Sequence, residues 1–180
     1  MACGAAAHAE MDEWQLSLGP AYRGIVYDVD PSLALHAPGA TFGGWYGLDD
    51  FWQLGGAVHA GVAFPIGDAA ATLEPAPLAA ATVEVRYVLD IVEWVPHVDL
   101  AAGVMWSGSG RGQPASAGPS GSSDGAFDAI VGVGLGLDYR PARDWSLGLT
   151  GRYDFVLSDW DGVSAAYLVT LVYSFYISNF

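Results

Sequence analysis

Apolar and polar residues alternate with a period of two along most of the chain, and the last segment shows this most clearly. Its apolar positions are Tyr167, Val169, Leu171, Tyr173, Phe175 and Ile177, with Thr170 and Ser174 between them. Successive side chains of a strand point to opposite faces, so the pattern predicts a β-strand with one apolar face. Residues 162–180 carry no charge, which leaves a terminal membrane helix as the alternative on length alone.

Six further segments repeat the alternation, and an eighth, Gly-rich segment at residues 41–48 has an ambiguous facing. Their apolar faces begin at Trp14, Leu54, Ala81, Val98, Val131 and Trp145, and they carry no charged residue. The connections alternate in length, as a meander of hairpins across a bilayer requires. Long connections are predicted at residues 28–40, 65–78, 107–127 and 156–164, and short ones at 49–50, 91–94 and 141–144.

Alternation alone does not decide which face points outward, so a soluble, lipocalin-like barrel with an apolar interior is the structural alternative. The polar face is rich in glycine and the chain has no Lys, which suits a crowded interior better than a solvated surface. Aromatic residues collect at strand ends, as at two membrane interfaces. The predicted interface residues are Trp14, Trp52, Trp94, Trp106, Trp145, Tyr167 and Phe175. We therefore predict an all-β, eight-stranded antiparallel up-and-down transmembrane β-barrel with short periplasmic turns and longer extracellular loops.

Residues 12–180 resemble the small outer-membrane barrels of the OmpA and OmpX type and the generic outer-membrane β-barrel domain. The resemblance rests on the eight alternating segments, the asymmetry of the loops and the terminal SFYISNF. It implies that Phe180 is an assembly signal read by the barrel-assembly machinery. Phe180 is out of phase with Phe175 and Ile177, and a bulge after Tyr176 would restore the phase.

Composition restricts the number of domains, the partners and the surface of the predicted barrel. The chain has 180 residues, enough for one domain, and its formal charge of −14 disfavours nucleic acid as a partner. Only 14% of residues are charged and the mean hydropathy is +0.31, so much of the surface must be apolar. Residues 1–11 are interpreted as a signal-peptide remnant, because Ala7-His8-Ala9 fits a cleavage site, or as a disordered leader. Cys3 has no partner for an internal disulfide.

The polar face carries the candidate chemistry. Eight charged residues on it are expected to form an ion-pair network that fills the lumen, and they are Arg23, Glu84, Arg86, Asp99, Asp138, Arg140, Arg152 and Asp154. Eight strands enclose a space just wide enough for side chains, so an open pore is disfavoured and a narrow or gated polar path is the alternative.

Other candidate motifs favour structural roles. His59 and His97 point inward and, with Glu84 and Asp99, suggest a metal site or an acid–base pair, although hydrogen-bonded interior histidines are commoner. The run Gly132, Gly134, Gly136 lies within a strand and is no phosphate loop. Residues 159–162 (DWDG) could hold a divalent cation that bridges to lipopolysaccharide.

The function expected from these features is a structural or surface-interaction role in the outer membrane of a Gram-negative bacterium, carried by the loops. The alternatives are a conduit for small polar solutes and a lipid-modifying enzyme. No cofactor and no metal are expected. The expected partners are outer-membrane lipid, lipopolysaccharide and the barrel-assembly machinery, with the protein a monomer.

Overall fold

The computed structural model describes residues 13–26, 34–66, 74–89, 93–108, 125–142, 144–159 and 162–178. They form eight strands: β1 (Glu13–Val26), β2 (Ala34–Gly47), β3 (Trp52–Ile66), β4 (Ala76–Val88), β5 (Trp94–Ser107), β6 (Ala126–Ala142), β7 (Trp145–Asp159) and β8 (Gly162–Ser178). Each strand pairs antiparallel with its neighbour in sequence, and β1 pairs with β8 to close the barrel. The predicted architecture is confirmed.

The two faces of the sheet differ sharply. Leu100 and Leu135, near the middle of β5 and β6, are 63% and 68% exposed on the outside, whereas Arg23 and Asp154 are fully buried inside. A soluble barrel buries its apolar face, so the lipocalin-like alternative is wrong. An apolar exterior around a polar interior is the distribution of a barrel that crosses a membrane.

Two expectations about strand boundaries are wrong. The connection expected at residues 28–40 is shorter, because β2 begins at Ala34 and pairs with the end of β1. The connection expected at 156–164 is not a long loop, because β7 reaches Asp159 and β8 begins at Gly162 after a register shift. The terminal segment Gly162–Ser178 is a strand, as predicted, and the helix alternative is wrong. Among the described residues, no helix is long and apolar enough to cross a membrane.

The second strand, whose facing the sequence leaves open, points Thr41 and Trp45 into the barrel and Phe42 outward. Its glycines permit this arrangement, because a Cβ at Gly43 would clash with the ring of Trp45. The lumen therefore contains an indole as well as charged groups.

Four cross-strand Trp–Tyr pairs ring the outside of the barrel at the end that holds the short turns. The ring centroids are 4.8–5.7 Å apart, in the pairs Trp14–Tyr46, Trp52–Tyr87, Trp94–Tyr139 and Trp145–Tyr173. Each pair joins the two strands of one hairpin at the end opposite its connection. The pairs therefore fasten the open ends of all four hairpins.

Candidate functional site

Glycines in β6 make room for charged side chains inside the barrel. Gly132, Gly134 and Gly136 all point inward, opposite residues of β5 and β7. A Cβ at Gly132 would clash with the Asp154 carboxylate, and one at Gly134 with that of Asp99. The alternate glycines of this strand are thus a steric requirement of the lumen.

Arg152 is the centre of the largest ion-pair group. Its Nε lies 2.8 Å from Oδ1 of Asp154, and its Nη1 donates a hydrogen bond to Glu84 across the lumen. Arg23 pairs with the same Asp154, with Nη2 to Oδ2 at 3.0 Å. Glu84 also accepts a hydrogen bond of 2.8 Å from Thr82 Oγ1. Two guanidinium groups and two carboxylates thus balance one another within the barrel.

A second ion pair closes the end of the lumen near the short turns. Arg140 Nη2 lies 3.2 Å from Oε2 of Glu13, and its guanidinium carbon lies 3.7 Å from the ring centroid of Tyr176. The Tyr176 hydroxyl is 3.0 Å from Ser146 Oγ. This layer joins β1, β6, β7 and β8 where the barrel closes.

Arg86 and His97 lie between these two groups. The Arg86 guanidinium carbon is 4.2 Å from the ring centroid of Trp45. His97 lies between two carboxylates, with Nε2 3.9 Å from Asp99 Oδ1 and Nδ1 3.8 Å from Asp138 Oδ2. A cavity of about 40 Å³ borders Arg86, Asp99 and Asp138. By volume it has room for about two or three water molecules.

An apolar layer, here called the septum, fills the lumen beside the extracellular connections. Its buried members are Ile25, Ala37, Ala63, Leu78, Ala80, Met105, Ile130, Val156 and Ala166, with Leu35 packed against them. Met105 contacts the ionic region directly, because its sulfur lies 3.5 Å from Arg23 Nη1. The septum separates the charged interior from the extracellular end.

The structure buries all eight predicted network residues inside the barrel, with carboxylate partners for Arg23, Arg140 and Arg152. The predicted interface aromatics lie on the outside, Trp106 and Trp145 partly buried and the other five more exposed. Phe180, residues 1–12 and residues 160–161 of the DWDG motif lie outside the described residues. Sequence reasoning missed Glu13, although it shares a face with Gln15 and Ser17, and it missed the septum.

The two histidines have no metal partners in the part of the chain that the structure describes. No group of three or more His, Cys, Asp or Glu residues there is placed to hold a metal ion. His97 Nε2 lies 3.2 Å from Thr150 Oγ1, and both nitrogens of His59 are buried without a hydrogen-bond partner. Neither histidine faces the exterior, where a lipid would bind.

No protein-family model and no curated protein matches the sequence. Solved structures do match in fold. The outer membrane protein OprG from Pseudomonas aeruginosa superposes with a TM-score of 0.65 at 8% identity, covering 97% of this chain and 100% of that one. The chain has the fold of the small outer-membrane β-barrels.

Two further outer-membrane barrels support the same assignment of fold. Neisserial surface protein A gives a TM-score of 0.64 at 12% identity, covering 92% of this chain and 97% of that one. Ail of Yersinia pestis gives 0.52 at 14% identity, covering 92% and 99%. These identities are low enough that the likeness extends to the fold alone.

Proposed function

We propose that the protein is a closed barrel of the Gram-negative outer membrane, which anchors its extracellular segments and displays them for surface interactions. The filled lumen is the observation that carries this proposal. The septum blocks its extracellular end, and ion pairs occupy the remainder around a cavity of about 40 Å³. A barrel closed in this way offers its loops, rather than a pore, as the means of acting on the surroundings.

The charge of the loop segments restricts the partners that we propose. Those segments, with the last residue of β7, carry one basic residue, Arg111, and the acidic residues Asp28, Asp30, Asp68, Glu74, Asp124, Asp159 and Asp161. Ail has been solved in complex with the heparin analogue sucrose octasulfate, a polyanion. Acidic segments repel a polyanion, so we propose neutral or basic partners here. Lipopolysaccharide remains a proposed neighbour through bridging divalent cations, and the assembly machinery through Phe180.

Conductance of the refolded protein in a planar bilayer tests the closed lumen. We expect the wild type to show no conductance steps, because no water-filled path crosses the septum. The double variant Leu78→Ala, Ile130→Ala empties part of the septum and should produce channel events. The control Leu100→Ala, Leu135→Ala removes the same number of carbons from the lipid-facing surface and should stay silent. Steady steps from the wild type would favour the conduit instead.

A lipid-modifying activity conflicts with the positions of the histidines. His59 and His97 are 4% and 3% exposed and lie inside the barrel, where acyl chains and lipid headgroups do not reach. We therefore propose a role without catalysis. Lipid turnover that disappears in His59→Gln or His97→Gln would reverse this part of the proposal.

A further inference from the structure

The described part of the lumen holds one more carboxylate than guanidinium groups. The buried acids are Glu13, Glu84, Asp99, Asp138 and Asp154, and the buried bases are Arg23, Arg86, Arg140 and Arg152. Arg23, Arg140 and Arg152 form ion pairs with Asp154, Glu13 and Glu84. The remaining groups are two carboxylates, Asp99 and Asp138, and one guanidinium, Arg86.

His97 lies where the unbalanced charge is concentrated. Both of its ring nitrogens face a carboxylate, at 3.9 Å from Asp99 and 3.8 Å from Asp138. Asp99 Oδ1 and His97 Nδ1 have no hydrogen-bond partner, although their residues are 1% and 3% exposed. Asp99, Asp138 and Arg86 also border the internal cavity. Buried polar atoms without a partner require an explanation, and a bound proton, water or ion is one.

A closed barrel in lipid disfavours an unbalanced charge, because bulk water and counterions do not reach it and the small cavity holds at most a few water molecules. One additional positive charge at this place would make the described lumen neutral. A metal cation is disfavoured, because Arg86 and Arg152 line the same cavity and would repel it. A proton needs no shell of ligands, and Asp99, His97 and Asp138 can share it as acceptor groups.

We propose that Asp99, His97 and Asp138 form a proton-binding site that holds one proton in the closed barrel. The proton belongs to the cluster as a unit, and Arg86 balances the one negative charge that remains. The site does not depend on the display of the loops, but it rests on the closed lumen of the proposed function. Conductance tests the closed lumen and the resonance measurement below tests the proton, so the two can fail separately.

The other charged and titratable groups in the sealed part of the described lumen lie on six strands. They are Glu13 and Arg23 on β1, His59 on β3, Glu84 and Arg86 on β4, Arg140 on β6, Arg152 and Asp154 on β7, and Tyr176 on β8. Asp128 of β6 is half-buried on the extracellular side of Ile130 in the septum, so it lies outside the sealed lumen and outside the charge count. Most of them pair with one another, as described above. β2 contributes Thr41 and Trp45 but no charged group to the described lumen. The cluster of Asp99, His97 and Asp138 is therefore where an added proton changes the balance.

Nuclear magnetic resonance of the refolded protein in micelles tests the site directly. Carbon shifts of the aspartate carboxyls and nitrogen shifts of the imidazoles report which groups carry a proton. We expect one protonated group among Asp99, His97 and Asp138 at neutral pH. Two carboxylates beside a neutral imidazole would overturn the proposal. Shifts that follow the concentration of Na⁺ or K⁺ would also overturn it, since a metal cation would then supply the charge.

Equilibrium unfolding by urea at a series of pH values gives an independent test. A proton held more tightly in the folded barrel stabilises it at low pH, and this stabilisation is lost as the pH rises through the titration of the cluster. Asp99→Asn leaves four carboxylates and four guanidiniums, so it should need no proton. Relative to this variant, the folding equilibrium constant of the wild type should fall about tenfold per pH unit between the titration of these groups in the unfolded chain and that of the folded cluster, and should level off above it.

The matched control is Glu74→Gln, which removes an exposed carboxylate outside the strands. It should keep the pH dependence of the wild type. Parallel curves for the wild type and Asp99→Asn would overturn the proposal. If Asp99→Asn does not refold, the resonance measurement on the wild type still decides.

Discussion

Arg152 forms ion pairs with two buried carboxylates. It contacts Glu84 on β4 and Asp154 on its own strand, and all three side chains are almost fully buried. Removing one partner from a buried pair leaves an uncompensated charge, which costs about 3–5 kcal/mol. We expect Arg152→Met to lower the free energy of unfolding by that amount in urea titrations of the refolded barrel. Adding Glu84→Gln should recover part of the loss, and additive losses would show that the contact is not formed.

A second prediction at the scale of single residues concerns the inward glycines of β6. Gly134→Ala places a Cβ against the Asp99 carboxylate, and overpacking of this kind costs about 1–3 kcal/mol. Gly151 is the matched control, because it lies on the lipid-facing side of β7 and a Cβ there meets nothing within 4 Å. Gly151→Ala should leave stability unchanged or raise it by up to about 1 kcal/mol. Equal effects of the two substitutions would contradict the packing described for the lumen.

The ion-pair partners could not be predicted from the sequence, although the residues could. Alternation places Arg152 and Glu84 on the inward face, but they are 68 residues apart and lie on strands that are not neighbours. Which inward residues meet depends on the register and stagger of the strands, and the sequence pattern does not specify these. The inward position of Trp45 could not be predicted for another reason: glycines lie on both faces of its strand and weaken the alternation.

At the scale of strands, the sequence is most informative where the two faces differ. It predicts β1 and β3 to β6 closely, since over most of their length their outward residues are apolar and their inward residues are polar or small. It fails at the extracellular ends of β2, β7 and β8. Inward residues there, such as Ala37, Val156 and Ala166, belong to the septum and are as apolar as the lipid-facing ones. Without a difference between faces, strand and loop look alike.

The Trp–Tyr pairs are expected to stabilise the hairpins that they join. Trp94 and Tyr139 are opposite each other on β5 and β6, with ring centroids 4.8 Å apart. Aromatic pairs contribute about 0.5–1.5 kcal/mol beyond the area that they bury. A double-mutant cycle of Trp94→Leu and Tyr139→Leu should give a coupling free energy in that range, measured by unfolding in lipid vesicles. Trp94→Leu with Leu149→Ala, on distant β7, is the control and should give none.

At the scale of the whole molecule, the membrane assignment requires that lipid hydrocarbon surrounds the apolar exterior of the barrel. Leu135 lies near the middle of β6 and is 68% exposed, whereas Leu157 lies two residues before the end of β7 and is 51% exposed. An Arg on the lipid face costs about 2–4 kcal/mol at mid-depth and about 0–1 kcal/mol near an interface. Leu135→Arg should therefore lower the free energy of unfolding in vesicles far more than Leu157→Arg does.

The contrast between these two positions separates lipid from water as the surrounding medium. In water both side chains would be solvated, so neither substitution would cost much and the two would be equal. In lipid the penalty follows depth, and intermediate positions on the same strand, such as Val131, should give intermediate losses. If the loss in free energy of unfolding were the same at every position along the strand, the barrel would not be surrounded by lipid. The burial of the charged groups in its interior would then have no explanation.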